Sequence, residues 1–212
     1  MACRPGPGAA LPGGPPLAHP HARHTGRAPV TGRRPEHVGQ VLAGVDWERW
    51  SVVLLKPDCL RRGLADTVLD RLARAATLTA RREVTVAAWQ IHVHYWDLLA
   101  GADWFDRDIP AALEAAYVGH RVTVALAHGR PGLPARLRAL LGHYDPHRAA
   151  PGTIRGDLGT DSLTAAKHEG RLVENLIHTS DDADAVARDF GTWYGAAQHH
   201  LLTPPAAQDG DS

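Results

Sequence analysis

The chain has 212 residues, and its 23 basic and 23 acidic side chains give a formal net charge of zero. This balance gives no sign of a nucleic-acid-binding surface, and no apolar run approaches the roughly 18 residues needed to cross a membrane. Cys3 and Cys59 are too few for a disulfide framework, which favours a reducing, cytoplasmic location.

Composition divides the chain into two tails and one domain. Residues 1–45 are dense in proline and glycine and have no hydrophobic period, which predicts a disordered tail. The arginines and the lack of acids in the stretch up to Pro35 resemble a transit peptide, but its prolines and glycines oppose the amphipathic helix that such a peptide needs. We predict one domain over residues 46–202 and a short C-terminal tail over residues 203–212.

Strand and helix periods alternate along the predicted domain. Strands are predicted near residues 51–56, 84–88, 122–126 and 176–177, and helices near 64–76, 92–100, 109–117, 133–141 and 181–190. This order predicts an α+β domain of the ferredoxin-like (split βαβ) type, with an antiparallel sheet and helices on one face.

Three motifs carry the residues suited to phosphate chemistry. Lys56-Pro57-Asp58 follows the first strand, Pro-Gly-Thr-Ile-Arg-Gly-Asp spans residues 151–157, and Asn-Leu-Ile-His-Thr-Ser-Asp spans residues 175–181. A lysine and an arginine neutralise phosphate charge, and an imidazole can itself be phosphorylated. The chain has no P-loop and no protein-kinase signature, so a phosphotransferase reading requires another scaffold.

In this order, and over about residues 49–195, the three motifs resemble those of nucleoside diphosphate kinase. The resemblance implies that family's fold and its γ-phosphate exchange between nucleoside triphosphates and diphosphates, by ping-pong through a phosphohistidine. It implies a catalytic group and a nucleotide-binding group of residues. The catalytic group is His178, Lys56, Asp189, Tyr95 and Ser180; the binding group is Lys56, Arg138, Arg155, Asn175, Tyr144 and Trp104.

The expected roles follow from the chemistry of each side chain. His178 must meet the γ-phosphorus as a neutral imidazole, and Asp189 is expected to hold its other ring nitrogen. The cations balance charge on the transferring group, and Asn175 holds a sugar hydroxyl. The resemblance further implies ATP and nucleoside diphosphates as substrates, Mg²⁺ held mainly through their phosphates, and a homo-oligomer.

Several positions depart from the family pattern. Tyr144 replaces a phosphate-contacting threonine and either obstructs the phosphates or binds them through its hydroxyl. Thr179 replaces a small residue, and Asp189 replaces a longer glutamate. About ten extra residues precede Asn175, and we expect residues 159–170 to form a surface excursion. The base-stacking phenylalanine has no clean match; Trp104 or Phe105 are the candidates.

These departures leave an alternative open. The chain is either an active kinase or a divergent nucleotide-binding or regulatory member of the fold with weak or no turnover. A histidine-phosphatase or phosphocarrier role is a third hypothesis, but it does not explain the arginine motif, because no nucleotide would bind there. The spacing of the remaining histidines matches no closed zinc site, so they are interpreted as structural or surface residues: His92, His94, His199 and His200.

Overall fold

The computed structural model of the chain describes residues 42–100 and 108–205. The predicted N-terminal tail lies outside these ranges apart from residues 42–45, and the predicted C-terminal tail apart from residues 203–205. Trp104 and Phe105, the candidates for base stacking, also lie outside the described residues.

A four-stranded antiparallel sheet forms the centre of the described fold. Its strands are β1 (Trp50–Leu55), β2 (Thr77–Thr85), β3 (Arg121–His128) and β4 (Ile177–Thr179). They lie in the order β2-β3-β1-β4, and every neighbouring pair is antiparallel. The predicted ferredoxin-like α+β class is therefore confirmed.

Helices connect the strands and follow the last one. In chain order they are α1 (Pro57–Arg61), α2 (Ala65–Ala73), α3 (Ala88–His94), α4 (Trp96–Ala100), α5 (Ile109–Tyr117), α6 (Leu133–Leu141), α7 (Ile154–Leu158), α8 (Leu163–His168) and α9 (Ala183–Trp193). Within the described ranges, no helix has the length and apolar character of a membrane span.

Two apolar clusters cover the two faces of the sheet. Every residue of β1 is buried. Val52 and Leu54 belong to a cluster that includes residues of α3, α5 and α9, whereas Val53 and Leu55 belong to one that includes residues of α2 and α6. The sequence predicts helices on one face; the structure differs because a strand that is apolar on both sides needs cover on both.

Short helices carry two of the sequence motifs. Lys56 is the N-cap of α1 and Pro57 its first residue, a position where the missing N–H of proline costs nothing. Thr153 caps α7, because its hydroxyl oxygen accepts a hydrogen bond from the N–H of Gly156 at 3.1 Å. The expected excursion at residues 159–170 contains α8, which buries Ala166.

The turn before β4 has a strained backbone. Leu176 has a φ of 70°, which is rare for a residue with a branched apolar side chain. Its N–H donates to Oδ2 of the buried Asp58 at 2.9 Å. The aspartate of the Lys56-Pro57-Asp58 motif therefore holds the backbone that leads to His178 in place.

We predict that Asp58→Ala lowers the free energy of unfolding by about 1–3 kcal/mol, because the buried N–H of Leu176 loses its acceptor. Urea denaturation measures the change. Asp66→Ala is the matched control, since Asp66 is an exposed partner of Arg81 and its loss should cost less than about 0.5 kcal/mol. Equal losses in the two variants would contradict the role of Asp58.

Candidate active site

A cavity of about 410 Å³ lies beside the ends of β1 and β4. The polar and charged side chains that line it include most of the residues singled out from the sequence. They are Lys56, Tyr95, Arg138, Tyr144, Arg155, Asn175 and His178, together with His143, Thr179 and Asp181. The fold thus brings the three sequence motifs together around one space.

Lys56 enters the cavity from the end of β1. Its Nζ lies 5.9 Å from the ring centroids of both Tyr95 and Tyr117. The hydroxyl groups of these two tyrosines share a hydrogen bond of 2.9 Å. Burial, followed by the neighbouring Tyr95, raises the pKa of Tyr117 well above its usual value, so Tyr117 remains a neutral partner for Tyr95.

Arg155 is a buried cation held by backbone carbonyls. Its Nε donates to the carbonyl of Asn175 at 3.3 Å, Nη1 to Gly142 at 2.9 Å and Nη2 to Ile177 at 2.7 Å. Burial is the main cause that lowers the pKa of Arg155 to about 10, so the group remains charged at neutral pH. A guanidinium has more N–H donors than these bonds use, and none of them meets a carboxylate of a described residue.

The second predicted arginine is more exposed. Arg138, in the last turn of α6, forms an ion pair with Asp181, and both side chains are about half exposed. An exposed pair of this kind holds its partners weakly and exchanges readily with an anionic ligand. Arg138 also contributes to lowering the pKa of Arg155, which places two cations close enough to repel each other across the cavity.

His178 lies in β4, where it pairs with Leu54 of β1. Its ring makes edge-type contacts with His94 and Tyr95, at centroid distances of 4.5 and 5.5 Å. Burial, then the neighbouring His94 and Lys56, hold the pKa of His178 well below its usual 6.5. The imidazole is therefore neutral at pH 7, the form that has a lone pair for attack.

Asp189 does not make the contact that the sequence predicts. Its Oδ1 lies 2.8 Å from Nδ1 of His94, and its Oδ2 accepts a hydrogen bond from the hydroxyl of Ser180 at 2.7 Å. Among the described residues, no hydrogen bond joins Asp189 to His178. An aspartate is one methylene shorter than a glutamate, and here the carboxylate is satisfied before it reaches the nucleophile candidate.

Ser180 and Thr179 lie on either side of the sheet at the end of β4. The hydroxyl of Ser180 accepts from the N–H of Val52 at 3.2 Å, so Ser180 joins Asp189 to β1. Thr179 is paired with Val53 in the strand, and its extended backbone suits a β-branched residue. The β-branched side chain of Thr179 is therefore compatible with its position in β4.

One of the two polar atoms of the Asn175 side chain is hydrogen-bonded, and the other has no described partner. Its Nδ2 donates to the carbonyl of Tyr144 at 2.7 Å, while its Oδ1 is buried and has no described partner. A buried acceptor of this kind is suited to a hydroxyl donor from a ligand. The ring of Tyr144 stacks on His143 at 4.5 Å and is half exposed at the rim of the cavity.

A second cavity, of about 380 Å³, adjoins the first and shares Lys56, Tyr95 and Leu98 with it. Apolar residues from α5 and from the segment before Asn175 form much of its wall. They include Ala112, Ala116, Leu172 and Val173. The site therefore has a cationic compartment beside a largely apolar one.

Sequence analysis misses three residues of this site. Tyr117 ends an apolar helix and is indistinguishable from a core residue in the sequence, and His94 is interpreted as structural. Asp58 lies inside a recognised motif, but its role depends on a hydrogen bond to Leu176, which is more than a hundred positions away in the sequence. For His94 the sequence offers one indication of a place near the site, because His94 directly precedes the predicted site residue Tyr95.

Comparisons with known proteins identify the family of the chain. The family model described as nucleoside diphosphate kinase matches residues 49–199. The nucleoside diphosphate kinase of Streptococcus thermophilus strain CNRZ 1066 is 31% identical over 142 residues, which cover 67% of this chain and 95% of that protein. That of Cutibacterium acnes is 32% identical over 148 residues, which cover 69% of this chain and 95% of that protein.

Solved structures agree with the sequence comparisons. One is a transition-state mimic of the nucleoside-diphosphate kinase from Borrelia burgdorferi with bound vanadate and ADP; it aligns with a TM-score of 0.63 at 26% identity, covering 69% of this chain and 86% of that one. Another is an NDP kinase from Pyrobaculum aerophilum, with a TM-score of 0.59 at 28% identity, covering 69% and 95% of the two chains. The chain described here belongs to the nucleoside diphosphate kinase family.

Proposed function

We propose that the chain transfers the γ-phosphate of ATP to nucleoside diphosphates by a ping-pong reaction through a phosphohistidine at His178. One observation carries the proposal: a neutral imidazole lies in the same cavity as the buried, carboxylate-free cation of Arg155. A nucleophile and a site for its phosphate electrophile are thus in one place. Positioning and electrostatic stabilisation provide most of the catalysis in phosphoryl transfer.

Each half-reaction exchanges one bond for another. The lone pair of a ring nitrogen of His178 attacks the γ-phosphorus, the new N–P bond forms, and the bond from phosphorus to the bridging oxygen breaks. ADP leaves with that electron pair. A nucleoside diphosphate then enters the same site, and a terminal oxygen of its β-phosphate attacks the phosphohistidine to restore the free imidazole.

The cations provide charge balance in both directions. Arg155 offers its remaining N–H donors from a fixed position, and Lys56 offers a compact ammonium from the end of β1. Arg138 exchanges Asp181 for a phosphate oxygen when nucleotide binds. The ring of Tyr95 lies 5.5 Å from that of His178, and the hydroxyl of Tyr95, held by Tyr117, is suited to donate to the transferred group.

Mg²⁺ bound to the nucleotide phosphates would neutralise part of their charge. The side chains of the cavity fit an ion held in this way. Asp181 is the one carboxylate among the described residues that line the cavity, and it is paired with Arg138. Such a site suits an ion that keeps several waters and takes its other ligands from the substrate.

The nucleoside fits the second cavity. Its apolar wall, which includes Ala116 and Leu172, is suited to the faces of a base, and the free Oδ1 of Asn175 is suited to accept from a sugar hydroxyl. Apolar contact distinguishes bases poorly, so low base specificity follows. From the family resemblance we also propose that the enzyme is a cytoplasmic homo-oligomer.

A second candidate function rests on the position of Asp189. Because its carboxylate bonds to His94 and Ser180, the ring of His178 has no hydrogen-bond partner among the described residues to fix its tautomer. A nucleotide-binding or regulatory protein with weak turnover is compatible with this arrangement. Tight nucleotide binding without phosphorylation of GDP would favour this candidate over the kinase.

The nucleophile is tested by brief incubation with γ-labelled ATP and Mg²⁺. We predict an acid-labile phosphoenzyme in the unmodified chain and none in His178→Ala, because the proposed N–P bond forms on the ring of His178. His92→Ala is the control, since His92 lies on α3 and pairs with Glu114 away from this site. Phosphoenzyme in His178→Ala would show that the nucleophile is another residue.

The lowered pKa of His178 predicts that the rate of phosphoenzyme formation changes little between pH 8.0 and pH 6.0. A histidine with the usual pKa of 6.5 is protonated by about three quarters at pH 6.0, and phosphorylation would slow about fourfold relative to pH 8.0. Since the pKa of His178 lies well below 6.5, the neutral form persists and the rate at pH 6.0 should stay within about twofold of that at pH 8.0. Single-turnover rates of phosphoenzyme formation check this; a fourfold or larger fall would contradict it.

Tyr144 is predicted to hinder the phosphates. Its ring lies at the rim of the cavity, and its hydroxyl has no described hydrogen-bond partner. Tyr144→Thr should raise kcat/KM about tenfold if the short hydroxyl gains one good phosphate hydrogen bond worth about 1.4 kcal/mol. Tyr144→Phe, which keeps the ring, should leave kcat/KM unchanged. A fall in both variants would instead mean that the phenol itself binds phosphate.

A further inference from the structure

The ring of His178 lies beside the cavity and also close to His94 and Asp189. His94 and Asp189 each bring a metal-ligating atom close to it, and the three ligand atoms lie within 4.8 Å of one another. Among the described residues, no other group of three or more histidine, cysteine, aspartate or glutamate side chains is this close. The cluster brings together residues that are far apart in the sequence.

Two imidazoles in this cluster have nitrogens without partners. His94 is only 3% exposed. Its Nδ1 lies 2.8 Å from Asp189 and 3.2 Å from Nε1 of Trp193, whereas its Nε2 is buried and has no described partner. His178 makes no hydrogen bond to a described residue. A buried polar atom left without a partner in this way is rare and indicates a ligand or a chemical role.

We propose that His94, His178 and Asp189 bind a single zinc-class divalent ion, and that this ion and the phosphoryl group compete for His178.

The ligand set selects the kind of ion. Imidazole nitrogens with one carboxylate suit Zn²⁺ and its neighbours, whereas Mg²⁺ prefers oxygen ligands. Two histidines and one acid leave a fourth position for water, as in open zinc sites.

The geometry requires a small closure. Ligand atoms at about 2.0–2.2 Å from one zinc ion lie roughly 3–3.5 Å from one another. The present separations reach up to 4.8 Å, so the ligand atoms must approach by at most roughly 1.5 Å. Rotation of the ring of His178, which no hydrogen bond to a described residue restrains, would supply this movement.

Nearby charges set the strength of the site. Lys56, Arg155 and Arg138 already disfavour a positive charge on His178, and they oppose a divalent ion there as well. The carboxylate of Asp189 offsets part of this repulsion. We therefore expect reversible binding, weaker than in a closed structural site with four protein ligands.

The consequence for phosphorylation rests on the proposed function. A ring that donates a lone pair to a metal loses nucleophilicity, and the ion adds positive charge and bulk beside the ring. Zinc binding should therefore suppress phosphoenzyme formation, and a phosphorylated His178 should fail to bind zinc. The binding of the ion itself does not depend on the proposed function.

The experiment measures Zn²⁺ binding to the full chain by competition with a chromophoric chelator, in excess Mg²⁺. We expect one competing equivalent in the unmodified protein, weakened by at least roughly tenfold in His94→Ala and in His178→Ala. His92→Ala is the matched control on the same helix and should bind normally. Histidines elsewhere in the chain contribute the same background to every variant.

Phosphorylation provides the second readout. In the unmodified protein, one equivalent of Zn²⁺ should abolish labelling by γ-labelled ATP, and a zinc-selective chelator should restore it. Since His94 is buried, circular dichroism checks that the His94→Ala variant is folded. If that variant is unfolded, the test is decided by His178→Ala, because His178 is only half-buried. Binding that is unchanged in His178→Ala overturns the proposal.

The two hypotheses fail in different ways. Loss of zinc binding in both variants, together with no phosphoenzyme in zinc-free protein supplied with Mg²⁺, supports the metal site and rejects the proposed kinase activity. Normal phosphoenzyme formation with no site-dependent zinc binding supports the kinase activity and rejects the metal site.

Discussion

The buried guanidinium of Arg155 is the interaction on which the rest of the site depends. It binds carbonyls of Gly142, Asn175 and Ile177, which lie after α6, before β4 and within β4. One cation therefore fixes the separation of the segment after α6 from the strand that carries the nucleophile candidate. Gly142 is part of this constraint, because its φ is 80° and a Cβ there would lie 2.4 Å from Oγ1 of Thr153. Carbonyl dipoles stabilise the charge without neutralising it, so the site retains a net attraction for anions.

The same positive charge contributes, after burial, to the neutral state of His178. A histidine that orients on a carboxylate gains basicity from it, as in a triad. Here burial comes first and nearby positive charges follow, and all of them favour the neutral ring. The groups that attract phosphate therefore also keep the nucleophile candidate unprotonated. In the proposed reaction, phosphate binding and the neutral state of the imidazole both depend on this electrostatic arrangement, and a change to Arg155 affects both.

Sequence reasoning succeeds where the information is local. The apolar periods of α5 and α6 give both ends of each helix, and the motif around Arg155 identifies the family. It fails for α1 and α7, since five residues are too few to display a helical period. It also fails for Asp189, whose partner depends on the packing of α9 against α3. The sequence spacing between Asp189 and His178 predicts that the carboxylate lies near the site. It does not predict that the imidazole of His94 lies closer to the carboxylate than that of His178.

The length of the Asp189 side chain decides which imidazole its carboxylate serves. Ser180 fixes one carboxylate oxygen from β4, and the other oxygen reaches His94 rather than His178. Packing then orients the ring of His178 in place of a hydrogen bond, with the edges of His94 and Tyr95 at 4.5 and 5.5 Å. These two residues end α3, where the helix stops and the chain turns towards α4. The placement of the nucleophile candidate therefore depends on where α3 ends, and a one-residue shift of that end would remove both rings from His178.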